Sequence, residues 1–154
     1  MNYWLFKSEP DSFGIDDLEA APKHTAAWDG VRNFQARNML RDSIAKGDEG
    51  FFYHSSCAVP GIAGIVSIVK GGYPDVTAFD PKHHHYDPDS KSDAPRWFMV
   101  DVKLQRKFSR IITLDELRSH AAKRLGDFVL LRRGNRLSVM PVAKKDWDFI
   151  LTLE

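Results

Sequence analysis

Trp28, Arg32, Asn33, Arg37 and Asn38 crowd around the glycine turn Asp29-Gly30. Together they offer a flat aromatic surface, two cations and two amides, the chemistry of a pocket for a planar polar ligand. On a helix opening at Asn33, Ala36, Leu40 and Ile44 share one face, and Gln35, Asn38 and Asp42 the other. Arg37 lies close to the apolar face, a costly place for a charge without a partner. The same residues have plainer uses: Trp28 suits a core, Asn33 a helix N-cap, and Arg37 an ion pair with Asp42 or Glu49. Further on, Phe51 to Ser56 reads as a strand that turns polar at its end. Tyr53, His54 and Ser55 are therefore candidates for the mouth of a site, or else a satisfied hydroxyl and a surface histidine. Trp97 is out of phase with its own strand. Phe98, Val100, Val102 and Leu104 form the apolar stripe, and Trp97, Met99, Asp101 and Lys103 line the other face. Trp97 either faces a site or packs under the preceding loop.

Three further groups carry possible chemistry. The basic turn Arg132-Arg133-Gly134-Asn135-Arg136 suits a phosphate backbone, or is an ordinary solvated loop. His83-His84-His85 is a tempting metal motif. On an extended chain, however, adjacent side chains alternate, so at most two share a direction, and no Cys or distant His pair completes a tetrahedral set. No metal or cofactor is expected. Lys7, Glu9, His54 and Asp75 are the acids and bases available to an enzyme, but no two have a known catalytic spacing.

The bulk properties narrow the classes. At 154 residues the chain fits one domain, 1–154, and a net charge of +1 with 28% charged residues argues against a strongly basic coat for nucleic acid. A local basic patch remains open. No run approaches the roughly 18 apolar residues of a membrane span, and the N-terminus lacks a signal pattern. The lone Cys57 cannot form an internal bridge. The expectation is a cytoplasmic protein without membrane contact or an obligate protein partner.

These residues need elements to position them. Asn2 to Ser8 reads as a strand, Asp11 to Ala21 as a turn and short helix, and Asn33 onward as a helix of about three turns. Strands follow at Phe51–Ser56, Gly61–Lys70 and Arg96–Phe108, the last two separated by a long loop, Val76 to Pro95. Thr113 and Glu116 form a capping box for a helix running through His120. Leu137–Val142 is a last strand and Ala143–Leu153 a closing amphipathic helix. Strands that follow one another without crossover helices predict an α+β fold: a mostly antiparallel, partly closed β-barrel with peripheral helices.

Several stretches also resemble a known family. Trp4-Leu5-Phe6-Lys7-Ser8-Glu9-Pro10, the run Trp28 to Asn38, Phe52-Tyr53-His54-Ser55, Tyr73-Pro74-Asp75, Pro95-Arg96-Trp97 and Arg136-Leu137-Ser138-Val139 are similar to the EVE domain. The resemblance runs from about residue 2 to residue 151 and implies a PUA-like fold, related to YTH and SRA domains. It implies a non-catalytic reader that holds a modified base of DNA or RNA, probably a cytosine derivative, in an aromatic-walled pocket. In that reading Trp28 and Trp97 are the two flat walls, and Ser8, Asn33, Asn38 and Ser138 read the base edge. Tyr53 and His54, with Ser55, donate to base or phosphate, and Arg32, Arg37, Arg132, Arg133 and Arg136 hold the backbone. His83-His84-His85 departs from the ordinary polar loop expected there. The related ASCH group leaves a hydrolase of small modified nucleobases or nucleosides as the alternative. A protein-binding scaffold is the third possibility.

Overall fold

In the computed structural model, which describes residues 1–154, the aromatic run Tyr3–Ser8 forms strand β1. Two short helices follow, α1 (Pro10–Phe13) and α2 (Ile15–Ala20). Pro10 opens α1, where its missing N–H costs nothing. A three-residue strand, β2 (Thr25–Ala27), leads into Trp28. It was not anticipated, because a strand that short has no readable alternation. Helix α3 (Phe34–Asp42) begins at Asn33, whose side chain accepts from the Ala36 N–H at 2.9 Å. It buries Ala36 and Leu40.

The remaining strands are β3 (Glu49–His54), β4 (Gly61–Pro74), β5 (Phe98–Thr113) and β6 (Val139–Val142). Thr113 caps helix α4 (Leu114–Ser119) by accepting from the Glu116 N–H at 3.1 Å, and α5 (Lys144–Leu151) closes the chain. All strands join one six-stranded sheet in the order β2-β5-β4-β3-β1-β6. Only β1 and β3 pair in parallel. The fold is therefore α+β and mostly antiparallel.

The barrel expectation needs correcting. The edge strands β2 and β6 do not pair with each other, so the ring of hydrogen bonds stays open. Register shifts along β4 and β5 disrupt the ladder and bend the strands, which is the only barrel-like feature.

Both faces of the sheet are covered. One cluster of 16 buried residues includes Phe6, Trp28, Leu40, Phe52 and Val100, and another of 15 includes Leu5, Phe51, Tyr53, Phe108 and Trp147. Alternation along β1 and β3 divides their side chains between the two clusters. The same alternation continues past the core. At the ends of these strands it separates Lys7 from Ser8 and Tyr53 from His54.

Candidate functional site

Trp28 enters the structure through its backbone, donating its N–H to the Val100 carbonyl at 2.7 Å just beyond β2. Its ring meets Phe6, Phe52 and Phe13 edge-on, with centroids 5.3, 5.4 and 6.4 Å away. Only 6% of the residue remains exposed, and it borders a cleft of about 540 Å³. That volume lies within the roughly 300–1,000 Å³ of small-molecule sites. Ser8, Ser12, Phe13 and Asp29 share the lining. Ser8 donates its hydroxyl to the Phe13 carbonyl at 2.6 Å, which ties α1 to the end of β1.

The other wall is His83, His84 and His85. Their rings are clustered, with centroids 4.6 Å apart for His83 and His84 and 3.9 Å for His84 and His85. An extended segment would turn one of the three imidazoles away. This segment is instead a tight turn, closed by the His85 N–H donating to His83 Nδ1 at 3.0 Å, and all three line the same cleft.

Gly30 allows this wall to close. Its φ of +78° favours glycine, and a Cβ there would lie 2.3 Å from a His85 ring carbon. Arg32 fixes the wall from behind, donating to the His85 carbonyl at 2.7 Å and to Asp75 Oδ2 at 3.0 Å. Asp75 is fully buried and also accepts from the N–H groups of Gly30 (2.8 Å) and Thr77 (3.0 Å). Burial pushes its carboxyl upward, but hydrogen bonds from Thr77, Gly30 and Arg32 overcome this and hold it below the usual carboxylate range. Burial lowers the His85 pKa, with nearby Asp29 opposing, so the imidazole is neutral at neutral pH.

Trp97 does not line this cleft, which corrects the picture of two facing indoles. It precedes β5, so strand alternation does not govern it. It lies 5% exposed beneath the loop, stacked on Phe34 at 4.9 Å, with its Nε1–H donating to Asp87 at 2.6 Å. The histidine wall stands where a second indole was expected.

Several other candidates have structural duties. Arg37 donates to the Arg96 carbonyl at 2.7 Å and to Asn38 Oδ1 at 2.8 Å, while Asp42 pairs with Arg41. Asn33 is occupied as the α3 N-cap and Arg32 as a clamp. His54 Nε2 accepts from the Ile15 N–H at 3.1 Å, and burial lowers its pKa against the pull of Asp16. The Ser55 N–H donates to the Ser8 carbonyl at 2.9 Å. The Ser138 carbonyl accepts from the Lys7 N–H at 2.8 Å, holding the basic turn against β1. Tyr53 faces the opposite side of the sheet and is buried. Burial pushes its phenol up to about 12, with Arg118 opposing.

Arg132, Arg133 and Arg136 are exposed and line a separate cleft of about 380 Å³ together with Asn33 and Gln35. None of the three arginines is in a salt bridge. No hydrogen bond or ion pair joins any two of Lys7, Glu9, His54 and Asp75, and Asp75 has no free role left. Asp75 and the histidine loop shape the cleft without any local sequence pattern that ties them to Trp28. The Arg32-to-Asp75 pairing spans 43 residues and leaves no local signal.

Comparison with known proteins gives a consistent result. The family model described as the EVE domain matches residues 2–153. Thymocyte nuclear protein 1 of Mus musculus is 51% identical over 99% of this chain and 74% of its own length. The protein of the same name in Homo sapiens is 49% identical with the same coverage. A crystal structure of human THYN1 protein in complex with 5-methylcytosine containing DNA superposes with a TM-score of 0.94 at 48% identity, covering 99% of this chain and 97% of that one. A Pseudomonas syringae protein superposes with a TM-score of 0.92 at 48% identity, covering 98% of each chain.

Proposed function

This chain belongs to the EVE domain family, and from that premise we propose that it is a non-catalytic reader of a modified cytosine in DNA, with the base seated in the Trp28 cleft. The observation that carries the reading is the cleft itself: an indole and Ser8 on one side, three clustered imidazoles on the other, and no lysine or arginine lining it. A human relative in the same family is described in complex with 5-methylcytosine containing DNA. The PUA-like architecture is part of the same proposal and rests on the family.

Stacking alone barely offsets the cost of seating an extruded base. Extruding a base costs a few kcal/mol, and stacking on an aromatic returns about 1–3 kcal/mol per base. The Ser8 and Ser12 hydroxyls, Asp29 and the imidazole nitrogens supply polar contacts to the base edge. The arginines at 132, 133 and 136 neutralise backbone phosphates.

The test is a panel of oligonucleotides at one stated salt concentration, as DNA and as RNA, with cytosine or 5-methylcytosine at one position. Tighter binding of the methylated DNA is expected, reduced by His84→Ala, an exposed change that leaves the core intact. Equal affinity for every strand in the panel ends the proposal.

A further inference from the structure

Across the sheet from the Trp28 cleft lies a smaller notch of about 370 Å³. Lys7, Arg118, Arg132 and Arg133 line it, with Tyr53 and Asn135, and it has no acidic lining residue. None of the four cations is in a salt bridge, although eleven such pairs exist elsewhere in the chain. Lys7 is half-buried and its ammonium makes no side-chain hydrogen bond. Four unpaired cations around one recess repel one another, and a bound anion relieves that repulsion. The notch shares Arg132, Arg133, Gly134 and Asn135 with the cleft of the basic turn, so the two lie side by side around that turn.

We infer that this notch seats one phosphate group of the bound strand, held by Lys7 and Arg118 from the sheet side and by Arg132 and Arg133 from the turn. This rests on the nucleic-acid reading but not on base selectivity. Adjacent residues of β1 then serve different parts of one ligand: Lys7 takes a phosphate while Ser8 lines the base cleft. The Tyr53 hydroxyl is an additional donor.

Binding of methylated and unmethylated DNA is measured for Lys7→Gln and Arg118→Gln across a salt series, with thermal melts confirming that both variants fold. Each variant is expected to bind both strands about tenfold more weakly, the scale of a lost charge-assisted hydrogen bond. The slope of log K against log salt should drop by about 0.9 per lost phosphate contact. The methylated-to-unmethylated ratio should stay unchanged. A scan with single methylphosphonates should find one position where Lys7→Gln no longer weakens binding. An unchanged salt slope in both variants overturns the inference, as does a Lys7→Gln effect that is the same at every methylphosphonate position. Saturable binding of inorganic phosphate that Lys7→Gln abolishes, with DNA binding unaltered, also overturns it, because the notch would then take a free anion. If methylation preference is absent but the slope changes appear, the base reading fails and the phosphate seat stands.

Discussion

The two recesses at the ends of β1 and β3 differ in what holds them together. The Trp28 cleft is walled by aromatic and imidazole rings, and its back is a network of buried hydrogen bonds centred on Asp75. The notch behind Lys7 is walled by four cations with no counter-ion. One recess is pre-shaped by a fully hydrogen-bonded carboxylate and leaves the buried His85 Nδ1 without a partner, which suits recognition of a particular ring. The other is electrostatically incomplete, which suits any phosphate. A single sheet keeps the two chemistries apart, so that selectivity and backbone affinity can be altered separately.

The largest expected effect is on the satisfied side. Asp75→Ala removes the acceptor for Gly30, Thr77 and Arg32 and leaves a guanidinium facing an empty space. It should destabilise the fold by about 3–5 kcal/mol, the cost of breaking a buried pair. Urea unfolding gives the value, and a loss below about 1 kcal/mol contradicts the clamp role. Next is Gly30→Ala. The positive φ alone costs roughly 1–2 kcal/mol, and the new methyl displaces the His85 ring. Methylation preference should fall while the salt slope is kept. A variant that retains full preference shows that the histidine wall does not touch the base.

Acidification should also separate the two recesses. His54 and His85 both have pKa values lowered by burial, so their neutral forms favour the folded state. That contribution is complete above about pH 6.5, the unfolded value. It is lost as the pH falls from there through the lowered folded values, because the unfolded chain takes up protons first. Melting temperature and methylation preference should both decline between pH 7.5 and 5. The notch contains no histidine, so the loss of salt slope in Lys7→Gln should be the same at both pH values.

The next change concerns the open cleft. Arg133→Gln should lower the salt slope by about 0.9 and leave stability within about 0.5 kcal/mol. A slope equal to that of the parent protein removes Arg133 from the interface. The smallest effect is expected for Tyr53→Phe. Its hydroxyl has no partner within the protein, so stability should change by less than about 0.5 kcal/mol. Any effect should appear as a few-fold loss of binding to both strands alike. A large stability loss would mean that the hydroxyl holds the fold rather than a ligand.

Much of this was legible in the residues. The period-two patterns of β1, β3 and β5 predicted which side chains share a face, and Asn33 and Thr113 announced the starts of α3 and α4. These signals act between neighbours in the chain, through alternation, helical spacing and side-chain caps. Of the run from Trp28 to Asn38, Trp28 and Asp29 line the cleft, whereas Asn33 and Gln35 line the cleft of the basic turn. The N-cap role of Asn33 was legible there, but not that Arg32 is occupied by a buried carboxylate and Arg37 by a backbone carbonyl.

The remaining features depend on contacts between distant parts of the chain. The partner wall of Trp28 comes from residues more than fifty positions away, in a turn whose conformation is set by Arg32 reaching the His85 carbonyl. Trp97 is stacked on Phe34 because the loop before β5 folds over α3, which no local pattern encodes. The cationic notch gathers β1, α4 and the 132–136 turn, three basic stretches that are each unremarkable alone. Short-range sterics and hydrogen bonding specify strands, helices and their faces. The matching of one wall to another, and of charge to its absent partner, is a long-range property that arises when the sheet brings those faces together.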